Sequence, residues 1–566
     1  MKTRIAGSLL VLQILFDSFS VPHIQAQSYE AHPERILILE KEAYRQFDLL
    51  GIPHSPDGLT EDQEVRIYIE RPWLAALREN GIVFQEAPIP SLTVMPMMKT
   101  EIRGTDSLWD FYPTYTAYET LMYQFEQSYP TLCRIEEIAT LTSGRKLLAA
   151  VLSANVDSTE AEPRFLYTST MHGDEVTGYV LMLRLIHYLL NEYGSHPKVS
   201  MLLDGAELWI NPLANPDGTY RFGNHTLAGA IRGNANGVDL NRNFPDPQDG
   251  PHPDGLAWQE ETLAFMQLAQ DQQFNMSCNI HGGAEVCNYP WDTWNHLPAD
   301  EDWWIEVCNS YADTAQFYSP AGYMNDFGSG VVRGYVWYSI NGGRQDYMNY
   351  FHHCREFTLE ISGQKFPAAS TLPSFWNYNY RSLLNYASES LYGLRGMVRD
   401  SLSGQALRAM VRISGHDYDS SEVYSRLPLG DYYRYLAPAY YDVTFMAPGY
   451  HSRTFPQLQV LAGQASVLDV ALLPLSIGRE EEALPEIASW YYDPESSALK
   501  VRTGGGAKDK ADIRIYDFSG RRVSTHPLVY HSLDLSFLPR GVYVARILYL
   551  SQDLEESSLK FIKKRD

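Results

Sequence analysis

The chain has 566 residues, and at roughly 150 residues per domain that length predicts three or four domains. Hydrophobic residues make up 45% and charged residues 20%, the balance of a folded chain and not of a disordered one. A formal net charge of -24 would repel nucleic-acid phosphates and anionic lipid, so no nucleic-acid partner is expected.

At the N-terminus, Lys2 and Arg4 precede an apolar stretch from Leu9 to Phe16, and short residues around Ala26 allow cleavage before Gln27. That order of charge, apolar core and small residues predicts a secretory signal peptide over residues 1–26. The core is too short to span a bilayer and no later run of about 20 apolar residues follows, so no transmembrane segment is expected. Residues 27–100 read as a small α+β pro-segment or cap. A strand at Ile36–Leu39 leads into a helix over Lys41–Leu50, an alternating run at Val65–Ile69, a helix over Trp73–Glu79 and a strand at Ile82–Phe84. Ala87–Pro96, with its prolines, is expected to be an uncovered linker.

Residues 101–391 alternate strands with helices, which predicts an α/β domain with a mixed central sheet flanked by helices. A short buried strand at Arg164–Thr168 feeds the loop Met171–Val176 and then an apolar-faced helix over Tyr179–Glu192, and Ala206–Ile210 is a further strand. Residues 392–475 change to short alternating strands with turn residues between them, predicting a small all-β sandwich. An acidic segment follows at Arg479–Pro485. Residues 488–566 are again all β, with strands at Leu499–Val501, Ile513–Tyr516 and Gly541–Val544 and a glycine turn at Gly504–Gly506. The five cysteines, Cys133, Cys278, Cys287, Cys308 and Cys354, are too few and scattered for a disulfide scaffold, form no CxxC pair and are not read as catalytic.

Most of the chemistry sits in the α/β region. His172-Gly173-Asp174-Glu175 follows a strand and precedes a helix, so an imidazole and a carboxylate can turn toward one cation. Alone this spacing is weak, because a catalytic zinc site needs three protein ligands and an open position. His281, between a short apolar run and Gly282-Gly283, is the third candidate. Arg242, in Asn241-Arg242-Asn243, offers a planar fork that grips a carboxylate through two parallel hydrogen bonds. Arg232 lies upstream, where it can meet negative charge developing on a carbonyl oxygen. Glu360, a carboxylate inside the apolar pattern Phe357–Ile361, is a candidate general base.

In order along the chain stand His172–Glu175, Asn215-Pro216-Asp217-Gly218, Asn236–Asp246, His281-Gly282-Gly283 with Asn288-Tyr289-Pro290-Trp291-Asp292, and Gly342-Gly343-Arg344-Gln345-Asp346-Tyr347. This series resembles the zinc metallocarboxypeptidases, specifically the regulatory branch containing carboxypeptidases D, E, M and N. The resemblance implies that His172, Glu175 and His281 bind one zinc ion per chain. It implies that Arg232 polarises the scissile carbonyl, that Asn241 and Arg242 bind the substrate's C-terminal carboxylate, and that Tyr338 is the mobile tyrosine closing over the terminal residue. Glu360 falls at the catalytic glutamate, the base toward a zinc-activated water.

Asp292 and Gln345 match the branch's pocket for the last side chain, and a buried carboxylate there selects Lys or Arg. Arg344, in the variable place beside Gln345, is expected to face away from that pocket by the alternation of side chains along a strand. The branch carries a transthyretin-like domain after the catalytic one, the place held here by residues 392–475. The last segment resembles a type IX secretion sorting domain, through Ile513–Val523, Leu533–Ser536, Leu538–Tyr543 and the basic end Lys560–Arg565. These resemblances imply passage through the periplasm to the outer surface of a gram-negative bacterium, by way of that secretion machinery. The expected activity is release of single C-terminal residues, Lys or Arg, from peptides and proteins. The alternatives are a zinc amidase or deacylase acting on cell-wall peptides or acylated amino acids, and a surface binding module.

Overall fold

The computed structural model describes residues 29–475 apart from 53, 60–63 and 104–105, and residues 487–563 apart from 494–495, 504–510, 518–520, 528–531, 540 and 550–553. The expected signal peptide, the acidic segment 479–485 and the glycine turn 504–506 lie outside the described residues. Of the described residues, those up to Met95 form one compact unit and those from Pro96 onward a second.

In the first unit, the strands run in the order His54–Leu59, Glu64–Glu70, Glu34–Glu40 and Gln85–Ala87, with every pair antiparallel. Val65, Ile67 and Ile69 alternate onto one face and pack with Leu37, Leu39, Phe47, Leu74 and Leu77. The edge strand lies at Gln85–Ala87, three residues beyond the apolar run Ile82–Phe84 that was expected to form it. Ile82 is buried in this unit's core, whereas the polar Gln85 and Glu86 form the ladder at the open edge. Hydrophobicity there marks burial and not the hydrogen-bonded segment. The expected uncovered linker is also corrected: Pro90–Thr93 is a helical turn with Pro at its start, and Ile89 and Ser91 are buried.

The second unit is built on an eight-stranded sheet whose strands are β1 (Cys133–Thr140), β2 (Lys146–Leu152), β3 (Arg164–Ser169), β4 (Glu207–Asn211), β5 (Met276–His281), β6 (Glu285–Tyr289), β7 (Val331–Arg333) and β8 (Arg355–Ile361). Their order is β7-β6-β8-β5-β3-β4-β2-β1. The inner pairs β4/β3, β3/β5 and β5/β8 are parallel and the pairs β1/β2, β2/β4 and β6/β8 antiparallel, so the sheet is mixed as expected. One face packs through Leu147, Val151, Leu166 and Trp209 against Phe265 and Leu268 of helix α1 (Glu260–Gln272). The apolar helix Thr177–Glu192 follows β3 and is buried along most of its length. From β3 the chain crosses to β4 on one side and later returns to β5 on the other. That reversal opens a crevice beyond the carboxyl ends of β3 and β5, the place where open α/β sheets bind ligands.

After the helix Leu372–Glu389 come two small sheets. One holds Asp431–Arg434, Gly393–Asp400 and Ala465–Val467 with Val470–Leu472; the other holds Val423–Tyr424, Met410–Ile413, Ala439–Met446 and Arg453–Val460. They share a core of Leu394, Val398, Val411, Ile413, Tyr432, Val443, Phe445 and Leu472. Residues 487–563 add two further all-β sheets around Leu499, Ile513, Ile515, Leu535 and Ala545. All five cysteines are buried and reduced. Among the described residues no helix is long and apolar enough to cross a membrane.

Candidate active site

Where β3 ends, the chain turns through the loop 170–176, and Glu175 N donates to His172 O at 3.1 Å. This tight turn sets the His172 and Glu175 side chains on one side of the loop. His281 is the last residue of β5, and in the parallel pairing with β8 it stands opposite Glu360. Residues in register on neighbouring strands project to the same face, so the strand-borne glutamate faces the site beside His281.

His172 Nδ1 lies 2.9 Å from Glu175 Oε1, His281 Nδ1 lies 2.9 Å from Glu175 Oε2, and the two Nδ1 atoms are 3.0 Å apart. Each ring's other nitrogen is engaged. His172 Nε2 donates to Asp239 Oδ1 at 2.9 Å, and the Asn279 side-chain amide stands 2.8 Å from His281 Nε2. Two imidazole nitrogens turned on one point beside a carboxylate are a His2Glu donor set, and carboxylate or amide partners on the far nitrogens orient such ligands. The residues present therefore fit zinc as three protein ligands.

Burial drives the electrostatics. It pushes the His281 imidazole down to about 4, which keeps the ring in the neutral form a metal requires. Burial also works against the charged forms of Asp239 and Glu175. Arg232 and His172 outweigh it at Asp239, and His172, Lys365 and His281 outweigh it at Glu175, so both carboxyls stay well below their usual range. Arg232 is buried, with Nε donating to Asp239 Oδ2 at 3.1 Å and Nη1 lying 3.1 Å from His172 Nδ1. Asp239 thus holds a metal-ligand ring and the candidate oxyanion-binding arginine with one carboxylate.

Asp239 also caps the short turn Leu240–Arg242, accepting from Asn241 N at 2.9 Å. Asn241 Oδ1 accepts from Arg344 N at 2.9 Å, and Arg242 lies close enough to help lower the Asp239 carboxyl and to oppose the rise that burial causes at Asp292. Asp292 is 1% exposed, and its Oδ1 accepts from Asn288 Nδ2 and Gln345 Nε2, each at 3.1 Å. Two glycines line this carboxylate. A Cβ on Gly334 would sit 1.7 Å from Asp292 Oδ1, and one on Gly343 would sit 3.5 Å from Oδ2 and 3.7 Å from Asn241 Oδ1. Only a residue without a side chain fits at Gly334, and Gly343 leaves room between Asn241 and Asp292. Tyr338 follows the helical turn Gly334–Trp337, donates its N–H to Gly334 O at 3.0 Å, and is partly exposed with its ring edge-on to Trp337.

The expected geometry around Gln345 needs one correction. Residues 344 and 345 open helix α2 (Arg344–His352) and do not lie on a strand. Arg344 is nevertheless turned to a partner of its own, since Nε and Nη2 make a bidentate pair with buried Glu356 at 3.0 and 2.7 Å. Sequence reasoning named Asp239 and Asn288 only as parts of blocks, gave Asn279 no role beside His281, and missed Lys365 and Glu356. Lys365 Nζ donates to Glu175 Oε1 at 2.6 Å.

A sequence profile described as zinc carboxypeptidase, peptidase family M14, matches residues 118–382. Carboxypeptidase SOL1 of Arabidopsis thaliana is 34% identical over 406 residues, 70% of this chain and 76% of that protein. Carboxypeptidase M of Mus musculus is 31% identical over 348 residues, 59% of this chain and 77% of that protein. Carboxypeptidase D of Homo sapiens is 33% identical over 356 residues, but that region is 25% of its own length. Among solved structures, carboxypeptidase A from Helicoverpa armigera aligns with a TM-score of 0.50 over 63% of this chain and 97% of its own, at 15% identity, a likeness of fold alone. With a His2Glu donor set in the crevice of a carboxypeptidase-like sheet, the chain belongs to the M14 family of zinc carboxypeptidases and is a metal-dependent hydrolase.

Proposed function

We propose that the protein is an exported exopeptidase that releases single Lys or Arg residues from the C-termini of peptides and proteins. The observation that carries this reading is the buried Asp292 carboxylate, separated from Asn241 by the side-chain-free Gly343. A terminal residue whose carboxylate is held by Asn241 and Arg242 would present its side chain to Asp292. A cationic side chain would then gain a charge-assisted bond, whereas an apolar one would leave a desolvated acid without a counterion.

Zinc held by His172, Glu175 and His281 supplies a Lewis acid for the carbonyl and for water. Glu360 takes a proton from the attacking water and returns it to the leaving amine. Arg232, fixed by Asp239, meets the charge that develops on the carbonyl oxygen. Tyr338 closes over the terminal residue from the rim. Residues 27–100 are assigned as a pro-segment or cap, 392–475 as a transthyretin-like domain, and 488–566 as a sorting domain read by type IX secretion machinery at a gram-negative outer surface. Export of a chain lacking 488–566 would remove that last assignment.

The activity is tested with matched peptides ending in Arg, Lys, Phe, Ala and Glu, with and without a zinc chelator. Chelator-sensitive release of terminal Arg and Lys alone, lost in Asp292→Ala, is expected. Release of Phe or Ala would keep the carboxypeptidase and overturn its basic selectivity. Turnover of acylated amino acids with no peptide cleaved would replace the reading with an amidase.

A further inference from the structure

The pocket carboxylate is held in two ways by consecutive residues of one helical turn. Gln345 donates its amide to Asp292 Oδ1 at 3.1 Å and accepts Thr358 N at 2.7 Å, which ties the pocket to β8. Asp346, the next residue, does not reach for the Asp292 side chain. Its carboxylate accepts the main-chain N–H of Asp292, 3.1 Å from Oδ1 and 3.0 Å from Oδ2, and the N–H of Thr293 at 2.8 Å from Oδ2. Thr293 Oγ1 then donates to Asp246 Oδ1 at 3.2 Å, and Asp246 Oδ2 accepts Gly342 N at 3.0 Å. Two buried carboxylates therefore brace the backbone on both sides of the space between Asn241 and Asp292.

A second acid is an electrostatically costly brace for a pocket that already contains one. Asp346 is 1% exposed, and carboxylates this close raise each other's proton affinity. The carboxylate's advantage is in its acceptors: Oδ2 accepts from both converging N–H groups, and Oδ1 stands 3.1 Å from the first of them. An asparagine in its place would have to turn an NH2 group toward one of them. The Asp292 Cα carries the side chain that meets the substrate, so a shift of its peptide moves the acid by a comparable distance. Such a shift changes recognition without touching the metal ligands or Glu360.

We propose that Asp346 is a positioning residue for substrate selection, which fixes the Asp292 main chain so that its carboxylate meets a basic terminal side chain. The proposal rests on the basic-residue reading given above. Asp346 touches neither substrate nor metal.

The test compares full-length wild type, Asp346→Asn, Asp292→Asn and the double variant on peptides that differ only in a terminal Arg or Ala, with zinc content measured in each. Misplacement on the scale of 1 Å is expected to raise KM for the Arg peptide about tenfold to a hundredfold in Asp346→Asn, with kcat and the Ala peptide nearly unchanged. In the Asp292→Asn background, Asp346→Asn is expected to cause no further loss of Arg-over-Ala preference, because it acts through Asp292. Equal losses on both peptides, or an undiminished loss in the Asp292→Asn background, would overturn the role and leave Asp346 as a support of the fold. If Asp346→Asn does not accumulate as folded protein, Asp346→Glu carries the same comparison, keeping the charge while displacing the acceptors by one methylene. A wild type that favours Ala sinks the basic-residue reading itself. A wild type that favours Arg, with an unchanged ratio in the variants, sinks only the role of Asp346.

Discussion

His172, Glu175 and His281 in the crevice of the sheet, and Asp300, His416 and Asp417 where the β-sandwich meets it, each bring ligand atoms within 4.8 Å of one another. Residue type alone would rank them as similar metal sites. Their surroundings separate them. In the crevice, two rings turn Nδ1 toward each other at 3.0 Å, and both far nitrogens have partners that fix the rings in that pose. At the seam there is one imidazole, 3.1 Å from Asp417 and 3.8 Å from Asp300. Guanidinium groups already meet both acids there: Arg355 and Arg434 lie 2.7 and 2.8 Å from Asp300, and Arg434 lies 2.6 Å from Asp417. The crevice is a ligand set aimed at a cation. The seam is an ion-pair network with its charge settled by the chain, and it joins the sandwich to the N-terminal end of the helix Glu301–Phe317 and the start of β8.

Loss of a ligand breaks this contrast most sharply. His281→Ala is expected to strip the metal and lower peptidase activity by more than about a thousandfold, whereas Asp417→Asn keeps a full equivalent of zinc. Atomic absorption on the purified variants decides it, and zinc lost from Asp417→Asn would reverse the assignment of the two clusters. Next in size is Glu360→Gln. It should retain zinc and lose about 10²- to 10⁴-fold in kcat, the usual range for removing a positioned acid–base group. Activity retained near wild type would hand the base to another residue.

The parts of the site legible in the sequence are those that depend on short spacing. His172 and Glu175 share one turn, His281 ends one strand, and Glu360 stands one residue before the end of another, each strand with an apolar pattern that could be read locally. The partners that aim them come from afar. Asp239 lies 67 residues from His172 and Lys365 lies 190 from Glu175, so only the folded sheet brings them together. The seam network is of the same kind, with Asp300, Arg355 and Arg434 on separate elements. Arg344 shows a different limit. A strand and the first turn of a helix both turn neighbouring side chains apart, so the expected direction was met for a reason the alternation did not contain; Glu356, twelve residues on, supplies it.

Removing the hub of the seam tests the other half of the contrast. Asp300→Ala leaves Arg355 and Arg434 buried with Asp417 as their remaining close acid, and breaking a buried pair from one side costs about 3–5 kcal/mol. Thermal and urea denaturation should show a large loss of stability, while zinc content and kcat per folded molecule stay near wild type. A variant of unchanged stability would mean that water replaces the carboxylate, and that the seam is a wetter and weaker join than its hydrogen bonds indicate.

The smallest effect concerns the pocket. Burial pushes the Asp292 carboxyl up to about 7, with Asp246 and Glu356 adding to the rise and Asn288 and Arg242 opposing it. An acid with a raised pKa is neutral below that value and charged above it. The free enzyme therefore gains attraction for a cationic terminal side chain as pH rises through about 7, and loses it on acidification by up to roughly tenfold per pH unit. A neutral terminal residue meets the opposite preference, because the protonated pocket carries no uncompensated charge. The quantity to measure is the ratio of kcat/KM for the Arg peptide to that for the Ala peptide. Ionisations at Glu360 or around the metal act on both peptides and cancel in this ratio, so what remains belongs to Asp292 and the acids coupled to it. The ratio should climb from pH 5.5 to 8 and then level, and it should be flat in Asp292→Asn. A ratio already level at pH 5.5 in wild type would mean that the pocket acid is charged throughout, held so by the Asn288 and Gln345 amides and the nearby Arg242, and that basic selectivity does not depend on pH.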